Sequence, residues 1–383
     1  MAVTVADLDK LHTRLTGWLE ARLQQDSVDV VRDVRLGEPE SPAVGQSNET
    51  LVLPATWTQG DRPAEATFIL RRQPSGSALL PAPDVVREYE VLRGLASSAV
   101  PVPRVRWVES DPSVQGVPFF VMEHVAGNVP SAKPSIHVVG WLTTLEPDQR
   151  SRVYRSALDA VVALHAHEWT ATHAFMLEPG RAQDPLDRYL GWLRSWYDWV
   201  TGGRSFPVTD TAIAWLFDNR PRVRQNDPVL LWGDARIGNT IISDELDLAA
   251  VIDWEFATVG PPEYDVAYWI TFEEFLAEAS GYPRLPGVPG REEVVAYYQE
   301  RSGRTLHDLP YYEVITSLFT AITVIRQADI AIEQGRLSAD STMGHGNAFT
   351  QMLARRLDLT VPELSVDWLR HRHVPTRPTG ANG

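Results

Sequence analysis

The stretch "LLWGDARIGNTIISDELDLAAVIDWE", residues 230–255, constrains the fold of this chain more than any other segment. Its two apolar runs, "NTII" and "LDLAAVID", are separated by the turn-forming residues "SDE", a pattern that predicts a β-hairpin. A turn centred near Leu246 places Asn239 opposite Asp253 at the open end of that hairpin. The segment therefore predicts a small sheet with polar side chains gathered at one end.

A third polar residue, Asp234, is predicted to lie at the same open end of the hairpin. The short strand "PVLLWGD" stops at Gly233 and brings Asp234 close to Asn239 and Asp253. A buried carboxylate is costly unless a positive charge lies against it, and carboxylate and amide oxygens are hard ligands that suit Mg²⁺. Each of the three residues alone is typical of a turn. Together they favour a site for a divalent cation.

The remainder of the chain predicts an α+β fold in two lobes. With 383 residues, the chain exceeds what one compact core usually serves. Its first third is rich in β-forming runs divided by Gly, Pro and Asn, and long helical patterns begin near residue 125. We predict an N-lobe over residues 1–124, a C-lobe over residues 125–370 and a flexible tail over residues 371–383. The N-lobe should hold a small antiparallel sheet and the C-lobe mainly helices.

Composition excludes several classes of protein. The net charge of −15 disfavours nucleic-acid binding; it is compatible with a polycationic ligand, but solubility explains it first. The absence of Cys excludes disulfides and thiolate sites. No run of about 18 apolar residues predicts a membrane helix, and the N-terminus lacks a secretory core. We expect a cytoplasmic protein without a membrane partner, and the sequence leaves its oligomeric state open.

"WGDARIGN" followed by "VIDWE" resembles the motif of the aminoglycoside phosphotransferase and choline kinase-like family, H-G-D-x-x-x-x-N followed by I-D-W/F. The resemblance extends from about residue 40 to residue 330 and implies a bilobal protein-kinase-like fold. It implies an ATP-dependent, Mg²⁺-requiring transfer of the γ-phosphate to a hydroxyl of a small molecule. Asp234 would then be the catalytic base, Asn239 and Asp253 the Mg²⁺ ligands, and Asp265 a brace for the catalytic loop.

The same resemblance assigns a nucleotide-binding set in the N-lobe. A loop in "GQSNET" would cover the phosphates, and Ile69 would pack against one face of the adenine. Arg71 would form an ion pair with Glu88 and bind the phosphates. The segment "FFVMEHVAG" would border the base. Glu123 and Val125 would act through backbone groups. The assigned residues are Gly45, Ser47, Asn48, Ile69, Arg71, Glu88, Met122, Glu123 and Val125.

The chain departs from the family pattern at two positions. Arg71 stands where kinases have Lys, and the only lysines, Lys10 and Lys133, lie in no comparable strand. Arg keeps the positive charge of Lys, but its guanidinium group is planar and larger than a compact ammonium. We therefore expect this change to affect nucleotide affinity. Trp232 replaces a largely structural His, which should alter packing. Arg72 and Glu90 remain rivals of Arg71 and Glu88.

Some other groups have ordinary interpretations. His165 and His167 in "LHAHEW" point to different faces of a helix and are interpreted as core or surface histidines. The stripe Trp192, Trp196 and Trp199 is first a packing surface and second a wall of a substrate cleft.

The sequence is compatible with three interpretations of the function. The acceptor is an aminoglycoside, or another hydroxylated metabolite such as a hydroxyacyl thioester. The second acceptor fits the branch related to acyl-CoA dehydrogenase-associated kinases. The competing class is a catalytically silent nucleotide-binding module.

Overall fold

The computed structural model describes residues 5–40, 49–130, 135–177, 184–221 and 226–372. The chain divides into two compact units, residues 1–97 with 102–126, and residues 98–101 with 127–383. The strands are β1 Val31–Leu36, β2 Glu49–Gln59, β3 Arg62–Arg72, β4 Val105–Glu109, β5 Phe119–Glu123, β6 Val229–Leu231, β7 Thr240–Ile242, β8 Leu248–Val251 and β9 Thr258–Gly260. The helices are α1 Val5–Asp26, α2 Val85–Leu95, α3 Pro147–His165, α4 Trp169–Thr172, α5 Pro185–Thr201, α6 Pro207–Asp218, α7 Glu263–Leu276, α8 Arg291–Ser302, α9 Leu309–Glu333, α10 Ala348–Arg356 and α11 Val366–Arg372.

The first unit is built on a five-stranded antiparallel sheet with strand order β1-β2-β3-β5-β4. Alternation along β2 and β3 buries Leu53, Phe68 and Leu70 on one face, against Leu19 of α1. Tight packing on this face anchors the sheet, because Trp18 of α1 also lies edge-on against Phe119 and Trp107. The predicted antiparallel N-lobe sheet is confirmed.

The opposite face of this sheet carries a half-buried apolar row. Val52, Ile69 and Met122 are direct cross-strand partners on β2, β3 and β5. Cross-strand partners share a face, so the three side chains form one continuous strip. Arg71 lies two residues beyond Ile69 on the same face, as the period of a strand requires.

The second unit is mainly helical, and its core helix is α9. Thr271 of α7 and Thr316 of α9 are hydrogen-bonded through their hydroxyls at 2.9 Å, inside a surface that is apolar on both helices. Among the described residues, α9 has the length and mean hydropathy (1.4) of a membrane span, but 67% of that window is buried in the protein. A core helix has the same properties, so this composition is weak evidence for a membrane span.

Two short antiparallel pairs lie within the helical unit. Strand β6 pairs with β9, and β7 pairs with β8, as the predicted hairpin requires. The predicted register is wrong by one residue, because Asn239 accepts a backbone hydrogen bond from Ile252 and so lies opposite it. The turn spans Ser243–Asp247, and an extra residue on β8 shifts the pairing next to Ile242.

Candidate active site

The loop that carries Asp234 begins at a glycine that no other residue can replace easily. Gly233 has φ 85°, in the left-handed region that favours glycine, and a Cβ atom there would lie 2.2 Å from the carbonyl oxygen of Phe256. The chain therefore turns sharply after β6 while the Phe256 backbone passes directly against it. This close approach delivers Asp234 into the loop that leads to β7.

Substituting Gly233 with Ala should damage the loop through this overlap. We expect Gly233→Ala to lower the free energy of unfolding by about 2–4 kcal/mol, since positive φ and backbone overlap both act. Gly202→Ala is the matched control: Gly202 also has positive φ (56°), but nothing lies within 4 Å of its Cβ position, so about 1 kcal/mol is expected. Urea unfolding of both variants measures the difference, and equal losses would contradict the close approach.

The Asp234 carboxylate is buried and is held by three donors. Arg236 Nε lies 3.0 Å from Oδ1 and 3.2 Å from Oδ2, and Asn239 Nδ2 donates to Oδ2 at 2.7 Å. The Tyr268 hydroxyl donates a further hydrogen bond. Burial raises the pKa of Asp234, the Arg236 charge opposes the rise, and the charge of Asp253 adds to it. An oriented carboxylate with a raised pKa is a better proton acceptor than an exposed one.

Arg236 places a positive charge against the buried Asp234 carboxylate, where the sequence pattern predicted that a bound divalent cation would supply it. Burial disfavours its charge, but the negative charges of Asp234 and Asp253 and the hydrogen bond to Asp234 leave the pKa of Arg236 raised. Its guanidinium also lies over the ring of Phe272, 4.9 Å from the centroid. Arg236 therefore stays charged next to Asp234 and is fixed on both sides.

Asn239 and Asp253 lie at the open end of the β7–β8 hairpin. Asn239 Nδ2 donates to both the carbonyl oxygen of Asp234 (3.0 Å) and its carboxylate. Asp253 follows the residue that pairs with Asn239 and adopts φ 66°, which is uncommon for a residue other than glycine. Unusual backbone angles of this kind concentrate at functional sites, where they aim a side chain. The structure thus brings Asp234, Asn239 and Asp253 to one place.

The donor set at this place fits Mg²⁺. Asn239 uses its amide nitrogen on Asp234, so Oδ1 is the side-chain atom that can ligate a cation. The charge of Asp253 acts on the same Asp234 carboxylate, so Asp253 lies near enough to be the second ligand. Within the described residues no cluster of three or more His, Asp or Glu side chains could hold a metal. Mg²⁺ commonly takes one or two protein oxygens and completes its shell with phosphates and water. One carboxylate and one amide oxygen match that pattern.

Asp265 ties the start of this loop to the helical core. It is fully buried at the N-terminal turn of α7 and accepts backbone hydrogen bonds from Trp232 at 2.8 Å and Gly233 at 2.9 Å. His165 Nε2 lies 3.1 Å from the same carboxylate. Since the two amides immediately precede Asp234, the position of Asp265 helps to define the position of Asp234.

Trp232 occupies the place of the usual His and links two parts of the site. Its indole Nε1 donates to the carbonyl oxygen of Ile252 at 2.9 Å, immediately before Asp253. The ring is fully buried beside Trp254, with the centroids 6.0 Å apart. The backbone before Asp234 and the backbone before Asp253 are therefore joined through one side chain.

In the first unit, Arg71 is paired with Glu88. Arg71 Nε lies 3.2 Å from Glu88 Oε2, and its Nη1 donates to Thr50 Oγ1 at 2.9 Å. Both charged side chains are buried. The two rivals point elsewhere: Glu90 is bound to Arg93, and Arg72 is bound to Glu49 and the carbonyl oxygen of Gln115.

The base-binding candidates lie at the end of β5. Ile69 and Met122 are half-buried cross-strand partners, and Val125 is half-buried just beyond the strand. The Glu123 side chain is bound by Arg104 and Arg106. Gly45, Ser47 and Asn48 lie outside the described residues.

Comparison with known proteins gives the family. The profile of the phosphotransferase enzyme family matches residues 44–308, more than half of the chain. The chain belongs to the phosphotransferase enzyme family. Enzymes of this family phosphorylate hydroxyl groups, and the α+β, bilobal kinase-like fold is confirmed. A crystal structure of a candidate aminoglycoside phosphotransferase from Ralstonia eutropha has a TM-score of 0.64 at 22% identity, covering 89% of this chain and 94% of that one.

Curated relatives of this phosphotransferase are much longer proteins. Mouse acyl-CoA dehydrogenase family member 10 is 33% identical over 226 residues, which is 58% of this chain and 19% of the relative. Human acyl-CoA dehydrogenase family member 11 is 29% identical over 272 residues, 69% of this chain and 33% of the relative. The phosphotransferase thus spans a third or less of the length of these relatives.

Several residues of the phosphotransferase site were missed by sequence reasoning. Arg236 lies inside the quoted motif, and its position two residues after Asp234 was a usable signal. Tyr268 is three residues after Asp265 in α7, one helical turn along, but nothing in the sequence showed which face of α7 meets the loop. His165 was interpreted as a core or surface histidine; it is a core histidine, and sequence reasoning missed the contact of its ring with Asp265.

Proposed function

We propose that this protein transfers the γ-phosphate of ATP, with Mg²⁺ present, to a hydroxyl group of a small molecule. The observation that carries the proposal is the convergence of Asp234, Asn239 and Asp253, with Arg236 against the base. Phosphoryl transfer needs positioning and charge neutralisation more than covalent chemistry, so few side chains suffice.

Asp234 acts as the base toward the acceptor hydroxyl in this proposal. Arg236, Asn239 and Tyr268 fix the carboxylate, which therefore presents one orientation to the incoming hydroxyl. Burial raises the pKa of Tyr268 well above its ordinary value, so its hydroxyl stays protonated and remains a donor. Orientation of the base and acceptance of the hydroxyl proton are thus supplied by this chain's own residues.

Asn239 and Asp253 are the proposed Mg²⁺ ligands. A bound Mg²⁺ neutralises phosphate charge and orients the transferred group. Asn239 connects the two functions, since its nitrogen holds the base and its oxygen would be available to hold the cation. Asp253 is aimed by its left-handed backbone conformation and by the Trp232 contact to Ile252.

In the first unit, we assign nucleotide recognition to Arg71 and to the apolar strip formed by Val52, Ile69 and Met122. Three half-buried apolar side chains on adjacent strands suit the flat face of a purine. Arg71 binds phosphate oxygens through its charge while Glu88 fixes its position. The role given to the loop at Gly45, Ser47 and Asn48 stays a prediction from the family resemblance.

Removal of the Arg71 charge tests this assignment. We expect Arg71→Met to lower nucleotide-dependent turnover by roughly 10²-fold, as for loss of one charged donor. It should also destabilise the protein, because Glu88 is left buried and unpaired. Adding Glu88→Gln should recover thermal stability without recovering turnover. Arg72→Met is the matched control, and equal loss of turnover in that variant would contradict the choice of Arg71.

The acceptor has two candidate classes. An aminoglycoside is supported by the net charge of −15 and by the Ralstonia neighbour. A hydroxylated metabolite with an apolar part, such as a hydroxyacyl thioester, is supported by the aromatic side chains around the base. Phe272 stacks on Tyr268, and half-buried Phe256 lies edge-on against Phe319 at 4.9 Å. The names of the relatives, acyl-CoA dehydrogenase family members, are compatible with this class, and the matched segments cover a third or less of each relative.

A product screen separates these classes. The protein, Mg-ATP and a panel of aminoglycosides and hydroxylated acyl thioesters are incubated, and mass spectrometry detects phosphorylated products. Product that forms with the wild type and not with Asp234→Asn supports the reaction, and its identity selects the acceptor class. Mg-ATP-dependent thermal stabilisation without product from any compound would favour the silent nucleotide-binding module.

A further inference from the structure

A chain of buried hydrogen bonds runs from α8 to the residue before Asp234. Tyr298 of α8 places its hydroxyl 2.7 Å from His165 Nδ1, and His165 Nε2 lies 3.1 Å from Asp265 Oδ2. Asp265 in turn accepts the amides of Trp232 and Gly233. The Tyr298, His165 and Asp265 side chains are excluded from water, so their hydrogen bonds have no solvent substitute.

The geometry limits where the proton on the His165 ring can lie. Asp265 Oδ2 already accepts the Trp232 amide and faces Nε2 as a further acceptor, so Nε2 carries the hydrogen. Nδ1 then accepts from Tyr298 if the ring is neutral and donates if the ring is charged. Burial raises the pKa of Tyr298, which keeps its hydroxyl protonated and able to donate. Glu263 and Arg304 act on Tyr298 with opposite signs, and Arg304 also donates to the His165 carbonyl at 3.4 Å.

We propose that Tyr298 is a positioning residue that holds His165 as the neutral Nε2–H tautomer, which orients Asp265 and thereby the backbone next to the catalytic base. Without the Tyr298 hydroxyl, Nδ1 loses its hydrogen-bond donor in a dry site, and the ring can rotate or exchange its tautomer. Asp265 then loses a fixed partner on Oδ2, and the amides of Trp232 and Gly233 lose a fixed acceptor. A displacement of about 1 Å near a reacting group can cost roughly 10²-fold in rate.

The effect on turnover rests on the proposed function, whereas the tautomer does not. The first measurement is therefore ¹⁵N NMR of the full-length protein with labelled histidine, from pH 6 to pH 8. The His165 signal is assigned by its loss in His165→Gln. We expect hydrogen on Nε2 and none on Nδ1 in the wild type, and a mixture of the two tautomers in Tyr298→Phe. A doubly protonated or Nδ1–H ring in the wild type would overturn the proposal.

A double-mutant cycle separates positioning from general packing. Gln has an amide donor and a carbonyl acceptor but no tautomers, so it can bridge Asp265 and residue 298 without the ring chemistry. We expect Tyr298→Phe to lower the rate of Mg-ATP turnover about tenfold alone and less than about twofold in the His165→Gln background. Tyr297→Phe, the neighbouring tyrosine bound to Asp159, is the control and should leave turnover unchanged.

The outcomes distinguish the two proposals. Equal losses from Tyr298→Phe in both backgrounds would make Tyr298 a packing residue and overturn the inference. Absence of Mg-ATP turnover in the wild type would count against the proposed function, and the NMR result would then decide the inference alone.

Discussion

Asp234→Asn should lower turnover by at least roughly 10²-fold while leaving nucleotide affinity nearly unchanged, as expected for loss of a general base. The substitution keeps the shape of the side chain and removes its charge and proton-accepting capacity. Asn239 and Arg236 still occupy their places, so the loop should remain folded. Asp234 is not among the proposed cation ligands, and binding of Mg-ATP should therefore survive.

The measurement combines steady-state product formation with calorimetric binding of Mg-ATP. Asp218→Asn is the matched control, because Asp218 is an exposed carboxylate at the end of α6. It should leave both quantities unchanged. Turnover of Asp234→Asn equal to that of the control would remove Asp234 from the mechanism.

Asp253→Asn should have the opposite signature, with loss of the Mg²⁺ dependence of nucleotide binding. Of the two proposed Mg²⁺ ligands, Asp253 carries the negative charge, and an amide is a far weaker ligand for Mg²⁺. We expect the affinity for Mg-ATP to fall to that measured for ATP in excess EDTA. Turnover should be lost with it, by roughly 10²-fold or more.

Asp247→Asn supplies the control for this second variant. Asp247 ends the turn of the same hairpin and binds Arg152 on the surface, far along the strands from the open end. Its replacement should leave Mg²⁺ dependence intact. Unchanged binding of Mg-ATP by Asp253→Asn would refute the ligand role of Asp253.

The predictable part of the fold was set by local patterns. The hairpin was predictable because two apolar runs flank a polar turn. This local pattern is sufficient for the prediction, without any knowledge of tertiary contacts. Its register was off by one residue because the turn is centred on Glu245 and not on Leu246, as the hydrogen bond from Ser243 to Asp247 shows, and the extra residue on β8 offsets only part of that shift. The family motif supplied the remaining fold, including the kinase-like order of strands and helices.

The candidate site was predictable only where its residues lie inside a motif. Asp234, Asn239 and Asp253 stand at fixed positions in "WGDARIGN" and "VIDWE", so they could be named in advance. Tyr268 and Tyr298 could not be named in advance. Each lies on a helix, and the packing of that helix depends on the whole helical unit. A tyrosine on a mostly buried helix carries no sign in the sequence that its hydroxyl has a specific partner.

A crystal structure with Mg²⁺ and a non-hydrolysable ATP analogue tests the central claim most directly. We predict one Mg²⁺ ion about 2.1 Å from Asn239 Oδ1 and from an Asp253 carboxylate oxygen, with phosphate oxygens completing the shell. Asp234 should remain hydrogen-bonded to Asn239 and not ligate that ion. An ion bound elsewhere, with Asn239 and Asp253 making no contact to it, would contradict the account.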